Sequence, residues 1–245
     1  MKTLIAVICC EYKLPGLDKC LEAINKHKGD ADVLLNYESD FIDIDLDLDI
    51  DEEYQHLILQ KWAWLGAGKH SRQFDQDQNA RLTPICIARN MVMDFAQQGG
   101  YDWLVFVDSD VIVPENFLSI LENPEFISLR SGVIPGRGVH SMARYFGTQN
   151  KDLGDGWMQS DYYSCGLLAI PKEIFWRTRF RWGMPKESDI VASEDPIFSS
   201  DVRNYLGYNW YCKKDVICQH LGELKNGETS QFSNHAQYNL CDINS

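Results

Sequence analysis

The sequence predicts one α/β domain with a mostly parallel central sheet flanked by helices. Three observations carry this. Residues 4–10 and 103–107 are continuous apolar runs rich in β-branched or aromatic residues, the pattern of strands covered on both faces. Apolar residues at helical spacing follow the first run and precede the second. The order strand, helix, strand over residues 4–37 is that of a βαβ unit, which implies a parallel sheet. A chain of 245 residues fits one such domain with a decorated C-terminal part. At this size a fold buries roughly three quarters of the surface its unfolded chain exposes.

The elements follow in chain order. Residues 4–10 form the first strand. Pro15-Gly16 breaks it, and Leu17, Cys20, Leu21 and Ile24 then mark a helix. Residues 31–37 read as the second strand. Residues 41–51 alternate strictly: Ile42, Ile44, Leu46, Leu48 and Ile50 on one face, Asp43, Asp45, Asp47, Asp49 and Asp51 on the other. Period two argues for an extended, solvated edge strand whose charges discourage edge-to-edge pairing. Residues 57–65 suit a short helix in a polar stretch. Thr83-Pro84 reads as an N-cap followed by Pro at the first helical position. Ile85, Ala88, Val92 and Phe95 continue that helix, and Gly99-Gly100 ends it.

Pro114 opens a further helix with Phe117, Leu118 and Leu121 inward. Residues 165–170 read as a strand followed by a short helix from Pro171. Ser193 caps a helix carrying Phe198, Val202, Tyr205 and Leu206, closed by Gly207. Residues 208–212 and 216–219 read as two short strands, and the tail from Glu223 as a polar surface wrap.

Composition narrows the function classes. The 23 basic and 36 acidic residues give a net charge of −13, which disfavours a nucleic-acid partner, whose binders carry a basic surface. The eight cysteines contain no CxxC pair and mostly lie in apolar runs, the pattern of a reduced, cytoplasmic protein without a zinc site. The apolar run at the N-terminus has no small-residue cleavage site, so a buried strand explains it better than a secretory leader. No run of about 18 apolar residues occurs, so no membrane-spanning helix is expected. From Lys172 to Lys186, five basic residues stand with Trp176 and Trp182, a combination that can receive an anionic or sugar-bearing acceptor as well as form a solvated face.

The chemistry concentrates at Asp108-Ser109-Asp110. Two carboxylates directly after a buried strand repel unless a cation neutralises them, and ligands of open α/β sheets bind outside such strand ends. A hard divalent ion, Mg²⁺ or Mn²⁺, would satisfy them and would also take phosphate oxygens. Glu194-Asp195 falls in the first turn of a helix, where acids meet the dipole favourably even without a catalytic role.

Ile87-Ala88-Arg89-Asn90 on a helix, the run from Trp103 to Asp110, and then Pro114 together resemble the donor-binding half of nucleotide-sugar glycosyltransferases of the GT-A, Rossmann-like fold, especially family 2-like members. Ser193-Glu194-Asp195-Pro196-Ile197-Phe198, Gly207-Tyr208 and His220 resemble their acceptor-side motif and trailing His. Gly166-Leu167-Leu168-Ala169-Ile170 resembles the strand between. The resemblance covers about residues 3–222, with three short motifs in the family's order.

It implies a metal-dependent transfer of a sugar from a nucleotide-diphosphate donor, a UDP-sugar, to the hydroxyl of a glycan or other acceptor. Residues up to about 130 would bind the donor, about 131–222 the acceptor, and 223–245 would form the tail. Asp110 would be the principal metal ligand, Asp108 would contact the ribose or the metal's shell, and His220 would complete the site, with Mn²⁺ favoured by the imidazole. Arg89 would contact the nucleotide or diphosphate. Asp195 would be the base that deprotonates the acceptor, with Glu194 positioning it. A base in that role implies inversion, although sequence spacing fits retention as well.

Two turns depart from the family. Cys9-Cys10-Glu11-Tyr12 replaces a Pro-Thr-Tyr-Asn-like turn, and Tyr37-Glu38-Ser39-Asp40 replaces Asp-Asp-Gly-Ser. Cys10 and Glu38 are the residues these turns offer to the base or ribose. The QxxRW motif of processive polymerases is absent, which favours single addition. Two other classes stay open: a nucleotidyltransferase, which wants a Gly-rich basic loop that residues 10–17 do not offer, and a non-catalytic nucleotide-sugar-binding domain.

Overall fold

The computed structural model describes residues 1–9, 14–38, 57–62, 78–122, 127–134, 151–160, 165–182, 194–223 and 229–231. Its centre is a nine-stranded sheet. The first βαβ unit is as expected: β1 (Thr3–Cys9), helix α1 (Leu14–His27) and β2 (Asp32–Glu38), with β1 and β2 parallel and in continuous register from Leu4↔Asp32 to Cys9↔Tyr37. Beyond β2 lies β3 (Leu57–Trp62), also parallel. On the other side β1 pairs in parallel with β4 (Trp103–Asp108). Then come β9 (Leu167–Pro171), β6 (Leu129–Val133), β10 (Trp210–Ile217), β8 (Trp157–Ser160) and β7 (Lys151–Gly154), giving the order β3-β2-β1-β4-β9-β6-β10-β8-β7. Only β9 and β8 run against the common direction of the other seven, so the sheet is mostly parallel.

The sheet alternates its side chains between two cores. Leu4 and Ala6 of β1, Leu104 and Phe106 of β4, and Leu168 and Ile170 of β9 face helix α2 (Gln78–Gln98), helix α3 (Lys172–Phe175) and helix α4 (Glu194–Asp201). Ile5 and Val7, Val105 and Val107, and Leu167 and Ala169 face α1 and the short 3-10 helix Phe117–Leu121. Helices therefore cover both faces, which is why these strands read as unbroken apolar runs. A separate three-stranded ribbon joins β5 (Val111–Ile112), β11 (Gln219–Glu223) and β12 (Thr229–Gln231).

Several expectations change. Residues 57–62 are a strand, because the open edge of β2 offers six backbone pairings that outweigh the local helical pattern. Helix α2 begins at Gln78 with Pro84 inside it; the fixed φ of Pro is helical, so the chain passes through at the loss of one backbone bond. The two short strands near 208–219 are one strand, β10, followed by β11. Tyr205 faces solvent, because the chain after Asp201 widens into a π turn, Val202–Leu206, that shifts the helical phase before Gly207 closes it at φ 73°. The alternating segment 41–51 and Ser193 lie outside the described residues. Strands β6, β7 and β8 were not foreseen. The turn between β7 and β8 holds Asp155 and Gly156 at φ 48° and 79°, the Asp-Gly hairpin signal.

Candidate active site

The site forms where β4 ends. The alternation that sends Leu104 and Phe106 towards α2 sends Asp108 the same way. Its N–H donates to the Gly166 carbonyl at 3.0 Å, and its own carbonyl accepts the Cys20 thiol at 3.6 Å. The turn at Ser109-Asp110 then presses against the start of α1. A Cβ at Gly16 would stand 3.0 Å from the Ser109 carbonyl oxygen and 3.3 Å from the Asp110 Cα, so only glycine fits there without displacement.

Asp110 faces the ribbon. The Leu221 N–H donates to its carbonyl at 2.8 Å, and His220 sits opposite Val111 in the β5–β11 pairing. This brings His220 Nε2 to 3.4 Å from Asp110 Oδ2. The residues predicted as metal ligands at Asp110 and His220 are therefore neighbours, although about 110 positions apart in the chain. Among the described residues, no cluster of three His, Cys, Asp or Glu side chains converges as a ready cation cage.

The other half of the site gathers around Arg89 of α2. Its Nη2 lies 3.4 Å from Asp108 Oδ1, 3.9 Å from Glu194 Oε1 and 3.9 Å from Asp195 Oδ1. The guanidinium is buried, not the exposed group a surface helix would carry. It rests 5.3 Å from the Phe106 ring centre and 5.1 Å from that of Phe180. Burial pulls the Arg89 pKa down, but its anionic neighbours more than offset this and hold it above the ordinary value. Glu194 goes the other way: burial first, then the Asp195 charge, push its carboxyl up to about 7 against the pull of Arg89.

Asp195 Oδ2 accepts the Cys165 N–H at 3.2 Å, while its buried Oδ1 accepts no hydrogen bond among the described residues. Burial raises the thiols of Cys165 and Cys86, the latter to about 12, so both stay protonated at neutral pH and neither is a ready nucleophile.

The structure thus joins Arg89, Asp108, Glu194 and Asp195 in one cluster and Asp110 with His220 in another beside it. Cys10 lies outside the described residues. Glu38 closes β2, and only its backbone is described. Three cations of the basic segment from Lys172 have carboxylate partners. Lys172, Arg179 and Arg181 are each committed to a carboxylate at 2.7 Å: Asp102, Asp94 and Asp201. Lys172 and Asp102 also sit at the start of β4, the end of the sheet away from Asp108. Lys186 lies outside the described residues. Sequence reading missed Phe180, which belongs to no periodic pattern, and the Cys165 N–H, because Cys165 reads only as the start of a strand.

No protein-family model and no curated protein sequence matches the chain. Solved structures do. S. aureus TarS 1–349 superposes at TM-score 0.52 with 16% identity, over 89% of this chain and 59% of that one. The same protein in complex with UDP-GlcNAc gives 0.51 and 18%, over 89% and 57%. A197 from STIV aligns over 96% of both chains at 0.48 and 14%. At these identities the likeness to TarS is one of fold, and the chain has the GT-A fold of the glycosyltransferases. It spans less than three fifths of the TarS fragment in the UDP-GlcNAc complex.

Proposed function

We propose that this protein is a glycosyltransferase that moves a sugar from a nucleotide-diphosphate donor to an acceptor hydroxyl. The observation that carries the reading is the convergence of Asp108, Glu194 and Asp195 on one guanidinium nitrogen at the C-terminal ends of the parallel strands. A gathering of three carboxylates with one cation, buried at a strand end, is the arrangement by which functional sites tune their charges. The fold of TarS, a protein whose structures hold UDP-GlcNAc and UDP, supports a UDP-sugar as donor. Residues 1–130 would carry the donor and 131–222 the acceptor. The six described cysteines are unbridged, which suits a reducing cytosol. Among the described residues no helix is long and apolar enough to cross a membrane.

A divalent ion fits the Asp110–His220 pair. Their facing atoms are 3.4 Å apart, close to the roughly 3 Å between adjacent ligands on an octahedral ion with bonds of about 2.1 Å. An oxygen beside an imidazole nitrogen suits Mn²⁺ better than Mg²⁺. Asp110 and His220 would hold the ion, Asp108 would stand in its shell or on the ribose, and the ion would supply a Lewis acid for the leaving diphosphate.

The chain's own residues then divide the work. Asp195 Oδ1, buried and accepting no hydrogen bond among the described residues, takes the proton of the acceptor hydroxyl as it attacks the anomeric carbon. Attack by that hydroxyl on the face opposite the departing diphosphate inverts the centre. The Cys165 N–H fixes the other oxygen of Asp195. Glu194, its carboxyl pushed up to about 7, exchanges its proton near neutral pH, and its protonated form can donate a hydrogen bond to the acceptor. Arg89, 3.4 Å from Asp108 and 3.9 Å from Asp195, holds both carboxylates in place. Its burial among three carboxylates favours this role over the diphosphate contact that the resemblance implies.

The test is a panel of nucleotide sugars with and without Mn²⁺. One donor should release free nucleotide, and EDTA or Asp110→Ala should abolish the release. Asp195→Asn should keep donor affinity and lose transfer by about 10²- to 10⁴-fold. Binding without turnover would assign a non-catalytic domain, and no donor binding at all would remove the reading.

A further inference from the structure

Between α3 and residue 182 the chain climbs along α2 as a strap. Arg179 donates to Asp94 at 2.7 Å and Gln97 at 3.2 Å near the end of the helix. One residue on, the strap meets Asn90. The Asn90 carboxamide accepts the Phe180 N–H at 2.8 Å and donates to the Phe180 carbonyl at 2.9 Å. It thereby satisfies both backbone groups of one residue, as a neighbouring strand would. Arg181 then grips Asp201, the last residue of α4, through Nε and Nη2, both at 2.7 Å. The strap is tied to α2 at two points and to the end of α4 at one.

What the strap delivers is the Phe180 ring. It stacks on Phe198 with centroids 4.0 Å apart and 10° between planes, and meets Phe106 edge-on at 5.7 Å. The same ring lies 5.1 Å from the Arg89 guanidinium. Phe198 is four residues after Glu194 and three after Asp195, so all three share one face of α4. Holding Phe198 sets the rotation of α4 and with it the direction of both carboxylates. Asn90 follows Arg89 immediately on α2, so one turn of helix holds the guanidinium and clamps the ring beneath it.

We infer that Asn90 is a positioning residue: by clamping the Phe180 backbone it fixes the ring that seats Arg89 and orients Glu194 and Asp195. It touches no reacting atom. Its effect reaches the chemistry through Phe180, and the Arg181–Asp201 pair closes the strap at its other end. The kinetic arm of the test rests on the glycosyl-transfer reading; the spectroscopic arm does not.

The experiment uses the full chain with Asn90→Ala and Asn90→Asp, the latter keeping the acceptor for the Phe180 N–H and losing the donor. The first readout is the ¹⁵N–¹H signal of Arg89 Nε, assigned by its loss in Arg89→Lys. Asn90→Ala should move it towards the position of a solvated arginine and speed its exchange, with Asn90→Asp intermediate. The second readout is turnover: kcat should fall by about 10- to 100-fold while donor KM stays within about two-fold, as expected when reacting groups shift by about an ångström. An Arg89 signal unchanged in Asn90→Ala overturns the inference, and so does a kcat that falls only as far as the folded fraction. If the unaltered protein transfers no sugar, the transfer reading fails and the Arg89 signal alone decides the clamp. Should Asn90→Ala not fold, Arg181→Gln, which cuts the solvent-facing anchor of the strap, is read the same two ways.

Discussion

Replacing Arg89 by Met tests the electrostatic heart of the site. The substitution keeps an unbranched side chain against the Phe106 and Phe180 rings but removes the charge. Nη2 faces three carboxylate oxygens at 3.4, 3.9 and 3.9 Å. At an effective dielectric constant of about 20, each such pair is a gross attraction of roughly 4–5 kcal/mol. Desolvation of the guanidinium opposes this by several kcal/mol, and removing one partner of a buried ion pair costs a net of about 3–5 kcal/mol.

The cost must depend on pH. Without the cation Glu194, already pushed up to about 7 against the pull of Arg89, binds its proton more tightly still in the folded state than in the unfolded chain. Stability is then lost as pH rises through its raised folded value. Urea unfolding in the presence of EDTA should show a loss of about 3–5 kcal/mol at pH 8 and at least about 1 kcal/mol less at pH 5. A loss under about 1 kcal/mol at pH 8, or the same loss at both pH values, would refute the account of Arg89 as the shared counter-charge.

Two further outcomes follow from the same structure. Glu194, with its folded carboxyl pushed up to about 7 from 4.5, holds a proton that the unfolded chain has already released, so its native state weakens as pH rises across that window. Glu194→Gln should remove this dependence and stabilise the protein at pH 8 by up to a few kcal/mol while leaving pH 4 unchanged, read from chemical unfolding at both pH values. Gly132→Ala should destabilise by about 1–3 kcal/mol, because the new methyl would stand 2.7 Å from the Val216 carbonyl oxygen, which is backbone and cannot swing away. Gly166→Ala should cost less, its nearest contact being the mobile tip of Ile134; thermal melts of the pair check the order.

What the sequence made legible follows the physics of each element. β1, β2 and β4 were readable because strands covered on both faces are built from apolar runs, and α1 because its inward residues repeat at helical spacing. β6 was not, because its middle is Arg130-Ser131-Gly132. Arg130 is buried beneath the Trp103 ring at 4.7 Å and donates to the Ile120 carbonyl, and the Ser131 hydroxyl accepts the Trp210 indole N–H. These polar groups are satisfied by partners outside the strand, from Ile120 ten residues back to Trp210 on β10, the sheet's last strand in chain order, so no local pattern announces them. β3 read as a helix for the complementary reason: its pairing partner lies on β2. In the site, the acids at 108, 110, 194 and 195 were visible singly as residues at strand and helix ends. The meeting of Asp108, Glu194 and Asp195 around Arg89 was not, because the convergence is a property of packing between α2, β4 and α4.

The placement of β9 also dictates an order of assembly. It lies between β4 and β6, yet it is made after both. When β4 and β6 emerge during synthesis their facing edges stay unsatisfied until residues 167–171 slide between them in the opposite direction. Only then does the Gly166 carbonyl reach the Asp108 N–H, and only then does the Cys165 N–H stand where Asp195 can take it. Contacts of this span carry a high loop-closure cost and form late. A chain stopped before β9 has the Asp-Ser-Asp turn in its sequence but no site, and it presents an open β4 edge to any other extended chain it meets.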